Sequence, residues 1–116
     1  MNKNFSDKTR FKGLKIAITG ANGSLGNCLI DEFKKKGAYV VGLTHSKKKK
    51  NSYKVAPNDW IFWSCGEETL LSLELANIDI LILNHGFNPK ENIDSNEINK
   101  AIEINSLSHW RLIQIF

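Results

Sequence analysis

The eight residues TGANGSLG, Thr19–Gly26, decide how the rest of this chain is read. The apolar run Leu14–Thr19 leads into them and the amphipathic stretch Asn27–Gly37, NCLIDEFKKKG, leads out. Three glycines therefore sit at the seam between a strand and a helix. Gly20 ends the strand and permits a tight turn. Gly23 leaves no side chain where a pyrophosphate must approach the backbone, and Gly26 lets the helix pack close to the sheet. The helix start directs free N–H groups at phosphate oxygens. Asn22 and Ser24 add amide and hydroxyl donors, and Thr19 and Leu25 belong to the same candidate cradle. A bare glycine pattern is a weak signal, but this one has the strand before it and the helix after it that the motif requires.

Outward from the cradle, Leu25, Cys28, Leu29 and Phe33 recur at helical spacing, and Gly37 supplies the stop. Ala38–Thr44 reads as a second strand, Trp60–Trp63 as a third, and Ile78–Asn84 as a fourth, apolar enough to be covered on both faces. The leucines at 70, 71, 73 and 75 predict a helix over about Glu67–Ala76. Asp94 with Glu97 forms a capping box, predicting a last helix from about Ser95 to the end, with Ile98, Ile102 and Leu107 on one side. Residues 1–12 read as a polar leader and 13–116 as the folded part. Alternating strands and helices argue for a parallel α/β sheet with right-handed crossovers. The expected strand order is 3-2-1-4, the first half of a Rossmann-type doubly wound fold that stops before a fifth strand.

At 116 residues the chain is one domain at most, and its apolar fraction of 41% is ordinary for a globular protein. No apolar run reaches the ~20 residues of a membrane helix, and the N-terminus lacks a signal-peptide core. Cys28 and Cys65 are too few for a disulfide framework or zinc site, which points to a reducing cytoplasm. His45, His85 and His109 show no metal-ligand spacing. The net charge is +4, with fourteen lysines and two arginines. The basic residues cluster at Lys34–Lys36 and Lys47–Lys50 without interleaved aromatics, so a solvated face and a loop account for them better than nucleic acid does.

The end of the second strand carries the next reading. An NAD site needs an acidic residue there for the ribose hydroxyls. No Asp or Glu occurs between Glu32 and Asp59. Thr44 takes the acid's place, followed by His45, Ser46 and Lys47. Hydroxyls and cations attract a 2′-phosphate where an acid would repel it, so the expected cofactor is NADP(H) in preference to NAD(H). Lys48–Lys50 read equally well as a basic loop without a ligand.

Taken with LTHSK, ILNHG and EINSLS, the cradle resembles the short-chain dehydrogenase/reductase family, over residues 14–116. The tail is most similar to short-chain dehydrogenases of cyanobacteria, some of them associated with a sterol-desaturase region. The resemblance implies hydride transfer between a nicotinamide and a carbonyl or alcohol carbon. It implies that Ser64 and Cys65 lie by the adenine, that Asn84 and Gly86 line the cofactor ribose, and that Asn105 supports a proton-relay water. The T-G-x-x-G-x-x-G spacing is closer to extended or atypical members than to the usual T-G-x-x-x-G-x-G. His85 stands where the family has a small residue and reads as a tolerated loop-edge imidazole. His109 and Trp110 read as packing residues.

The family's catalytic tyrosine, with a lysine four residues later, has no counterpart. Tyr39 is followed at that distance by Leu43 and Tyr53 by Pro57. An unassisted phenol, with a pKa of ~10, is a poor base at neutral pH. The expectation is a cofactor-binding half that is inactive alone and is completed by a partner chain or within a homo-oligomer. A non-catalytic dinucleotide-binding module and a non-functional truncated product are the alternatives.

Overall fold

The computed structural model describes residues 7–45, 55–90 and 94–116. Four strands form one parallel sheet: β1 Lys15–Thr19, β2 Tyr39–Thr44, β3 Asp59–Phe62 and β4 Ile80–Ile82, in the order β3-β2-β1-β4. Ile16 pairs with Val40 on one side and Ile80 on the other, and Thr44 pairs with Phe62. The expected 3-2-1-4 order is what the chain adopts.

Alternation along the strands sends side chains to two cores. Ile16, Ile18 and Val40 face Ile30 of α1, Ser24–Lys35. Ala17, Val41 and Leu43 face Trp63, Leu71, Leu75 and Leu112. Gly37, at φ +92°, turns the chain from α1 into β2, as only glycine does cheaply. The end of the polar leader docks here. The Phe11 ring meets Phe33 edge-on at 5.3 Å, and the Phe11 N–H donates to the Lys36 carbonyl at 2.8 Å. The Lys34–Lys36 run has local partners: Lys35 bridges to Asp31, Lys36 to Glu32, and Lys34 donates to the Ala56 carbonyl.

Three expected elements differ. The leucine-rich helix is a 3-10 turn, Glu68–Leu71, followed by a single helical turn α2, Ser72–Leu75. Leu71 and Leu75 are buried while Leu70 and Leu73 are exposed, so four leucines overstated the apolar face. Strand β4 is three residues long and only half-buried, because among the described residues it pairs with β1 alone. The last helix starts at Ser95 as expected, but it is α3 (Ser95–Ile102), a π-turn (Glu103–Leu107) and α4 (Ser108–Ile115). Asp94 caps it by accepting from the Glu97 N–H at 2.9 Å. The Glu97 carboxylate accepts from Lys90 N–H at 3.3 Å, so the capping box forms on one arm only. Ile98, Ile102 and Leu107 are exposed, as is Trp110, which corrects its reading as a packing residue.

Candidate functional site

The C-terminal ends of β1, β2 and β4 open into one cavity of about 770 Å³. Parallel α/β sheets place ligands at this edge, where crossovers to opposite faces leave a crevice. Eleven of the residues singled out from sequence line it: Gly20, Asn22, Gly23, Ser24 and Leu25 from the β1–α1 seam, Thr44 and His45 from the end of β2, Ser64 and Cys65 after β3, and Asn84 and Gly86 after β4. Ser46 and Lys47 lie outside the described residues.

The glycines divide the work as follows. Gly20 is left-handed, at φ +62°, and a Cβ there would also come within 2.9 Å of the Asn84 carbonyl oxygen. At Gly26 a Cβ would collide with the Gly20 carbonyl and reach Ala21 Cα at 2.8 Å, which holds α1 tight against the turn. Gly23 differs. Its φ of −86° suits any residue, and a Cβ would meet only the Gly20 oxygen, at 3.5 Å. Protein packing does not demand glycine at 23, whereas a group seated in the cavity would. Gly23 is also the N-cap of α1, so no side chain caps the helix and no acid occupies its first turn. Its first N–H groups and positive dipole end face the cavity without a built-in anion. None of the described lining residues is Asp or Glu. These residues fit a dinucleotide: a glycine with open space where phosphates approach, a helix start above it, and no carboxylate to repel them.

Thr19 and Gly26 support the cavity from beneath. Thr19 is fully buried. Its hydroxyl oxygen accepts from the Asn84 N–H at 2.9 Å and the His85 N–H at 3.2 Å, tying the end of β1 to the turn after β4. Asn105 also works through backbone. Its Oδ1 accepts from the Phe87 N–H at 2.7 Å and its Nδ2 donates to the Phe87 carbonyl at 2.8 Å. The amide thereby pins the cavity wall to the π-turn.

His85 corrects the expectation of a loop-edge imidazole. Its Nδ1 lies 2.7 Å from Thr19 Oγ1 and its Nε2 3.0 Å from the buried Ser108 hydroxyl. The Trp63 ring stands edge-on to it at 5.2 Å. His109 packs its ring 4.1 Å away and donates from Nε2 to the His85 carbonyl at 2.8 Å. Burial first, and then the neighbouring His109, push the His85 pKa down to about 4. Burial likewise raises the Cys65 thiol, so Cys65 presents a neutral S–H in the cavity wall.

Deeper on the same side, Glu68 is fully buried and accepts from the Gly66 N–H at 3.0 Å. Arg111 lies 3.8 Å from Glu68 and pairs with both oxygens of Glu103. Sequence reading missed this cluster, and it missed Trp63, Phe87, Lys100 and Ile104 as cavity residues. The spacing of Lys100, Ile104 and Ser108 by fours placed them on one helical face, but charged, apolar and polar side chains do not read as one surface.

The sequence matches the NAD dependent epimerase/dehydratase family over residues 16–115. It is 36% identical over 108 residues to a monoglucosyldiacylglycerol epimerase from Synechocystis, a match covering 90% of this chain and 26% of the relative. A short chain dehydrogenase from Leptospira borgpetersenii with bound NAD+ overlays with TM-score 0.75 at 27% identity, over 99% of this chain and 48% of that one. An Escherichia coli CFT073 chain of the short chain dehydrogenase class, complexed with NADPH, overlays at 0.76 with 17% identity, over 93% of this chain and 53% of that one. The chain thus spans about a quarter of the curated relative and about half of each dehydrogenase. The expected sterol-desaturase association finds no support in these matches. Among the described residues no helix is long and apolar enough to cross a membrane.

Proposed function

This chain belongs to the NAD dependent epimerase/dehydratase family, and on that premise we propose that it is the NADP(H)-binding portion of a short-chain oxidoreductase. The observation that carries the proposal is the cavity under the α1 start, glycine-floored and free of carboxylates among its described lining. Gly20, Gly23 and Gly26 shape the floor, and Asn22 and Ser24 add donors beside the helix N–H groups. Ser64 and Cys65 form the adenine wall, and Asn84 and Gly86 the ribose wall. A bound nicotinamide dinucleotide supplies hydride transfer at an alcohol or carbonyl carbon.

NADP(H) is preferred over NAD(H) because Thr44 and His45 stand where an acid would engage free ribose hydroxyls, with Ser46 and Lys47 next in sequence. The proposed reacting centre is a secondary alcohol carbon. The name of the glycolipid epimerase supports a sugar on a lipid as its carrier. The family's tyrosine and lysine would come from a segment outside residues 1–116, from a partner chain, or across a homo-oligomer. The cytoplasm is the proposed compartment. A second reading, a dinucleotide-binding module without catalysis, is favoured by the absence of any tyrosine here followed four residues later by lysine.

Calorimetry with NADP+ and NAD+ tests the proposal. The expected result is saturable binding, tighter for NADP+, with Lys47→Glu lowering NADP+ affinity and sparing NAD+. A folded chain that binds neither dinucleotide refutes the proposal, and equal NADP+ affinity in Lys47→Glu refutes the 2′-phosphate assignment. Turnover by the chain alone would exclude the binding-module reading.

A further inference from the structure

A donor count at Thr19 fixes the state of His85. A threonine hydroxyl has two lone pairs and one hydrogen. The Asn84 and His85 backbone N–H groups fill both lone pairs. The hydrogen remains, with His85 Nδ1 at 2.7 Å and the Ile82 carbonyl at 3.4 Å. A proton on Nδ1 would bring a third donor to an oxygen that accepts two. Nδ1 is therefore the acceptor and Nε2 carries the proton, donating to Ser108 Oγ at 3.0 Å. One directed chain runs from Thr19 through His85 to Ser108, from the floor of the cradle to α4. His109 adds a separate anchor on the His85 carbonyl.

We propose that His85 is a positioning residue for the dinucleotide: as its neutral Nε2–H tautomer it bridges Thr19 and Ser108 and so locks the Asn84–Phe87 wall between β1 and α4. The proposal rests on the dinucleotide-binding reading. Protonation of Nδ1 would set N–H against the Thr19 hydroxyl, break the bridge and release the wall. The groups that bear on that step are His109 on α4, Glu68 on the 3-10 turn, His45 at the end of β2 and Cys65 after β3. Of these, only Glu68 favours the cation, and burial with the two histidines outweighs it.

The test combines a spectroscopic signature with binding. Nitrogen-15 NMR of the full chain at pH 7 should show His85 Nδ1 unprotonated and Nε2 protonated. The opposite tautomer or a cationic ring overturns the proposal. At pH 7, His85→Ala should weaken NADP+ binding about tenfold, the scale of two lost hydrogen bonds. His85→Gln, whose amide still donates toward Ser108, should stay within about threefold, since one of those two bonds survives. On acidification through about 4 the wild-type affinity should drop in a step that His85→Gln lacks. Equal affinity in wild type and His85→Ala, or the same acid step in His85→Gln, overturns the inference and leaves the dinucleotide reading standing. A folded wild type that binds no dinucleotide overturns the reading itself.

Discussion

The two walls of the cavity are built on different principles. The β1–α1 wall is backbone: glycines, a turn and an uncapped helix start, all within eight consecutive residues. The β4–α4 wall is side chains: His85, Ser108, His109 and Asn105 clamp a loop across sequence separations of 18 to 66 residues. A wall of backbone tolerates no added atom at its tight points. A wall of side chains can lose one member and keep the others. The first wall should fail abruptly under substitution and the second by degrees.

Gly26→Val should break the backbone wall outright. Its Cβ meets the Gly20 carbonyl and Ala21, so the seam must spread, at a cost of roughly 3 kcal/mol or more, read as a lower urea midpoint. Leu112→Ala attacks the side-chain wall from behind. Leu112 is fully buried in the α4 core, and its truncation should cost about 2–5 kcal/mol. Wild-type stability in either variant would break the comparison.

Gly23→Ala separates folding from binding. There is room for the methyl within the protein, so the urea midpoint should hold, while NADP+ affinity falls by roughly tenfold or more as the methyl enters the phosphate space. Unchanged affinity would mean that the cradle does not admit phosphates at this point. Asn105→Ala removes two hydrogen bonds to Phe87 and should cost about 1 kcal/mol, with faster hydrogen exchange at the Phe87 amide.

The pH dependence of His85 tests the side-chain wall without truncating it. Its folded pKa of about 4 lies below the usual 6.5. Between those values the unfolded chain binds a proton that the folded chain refuses, so stability should fall as pH drops from 6.5 toward 4 and level off below. His85→Gln should flatten that part of the curve, measured by urea midpoints across the range. An identical slope in the variant would place the titration elsewhere.

Much of the first wall was legible in the sequence. TGANGSLG between an apolar run and an amphipathic one located strand, turn and helix, because a tight turn and a close helix approach each require glycine at a fixed offset. Asp94 announced the start of α3 for the same local reason, since an N-cap needs only the backbone three residues on. The second wall was not legible. His85 looked like a loop residue because its partners Thr19 and Ser108 are distant in sequence, and nothing in the NHG string points to them. Nothing in the local sequence marks Glu68 for burial, yet it is fully buried and faces Arg111.

The sequence by itself determined the strand order, the glycine cradle and the acid-free end of β2, because periodicity and backbone sterics act between near neighbours. Only the tertiary structure decided which polar side chains meet across the sheet, and therefore that His85 is a neutral bridge. It also decided that β4 stays half-exposed and that Trp110 faces outward. Those outcomes depend on which surfaces find a partner in space, and burial and hydrogen-bond pairing are properties of the packed chain.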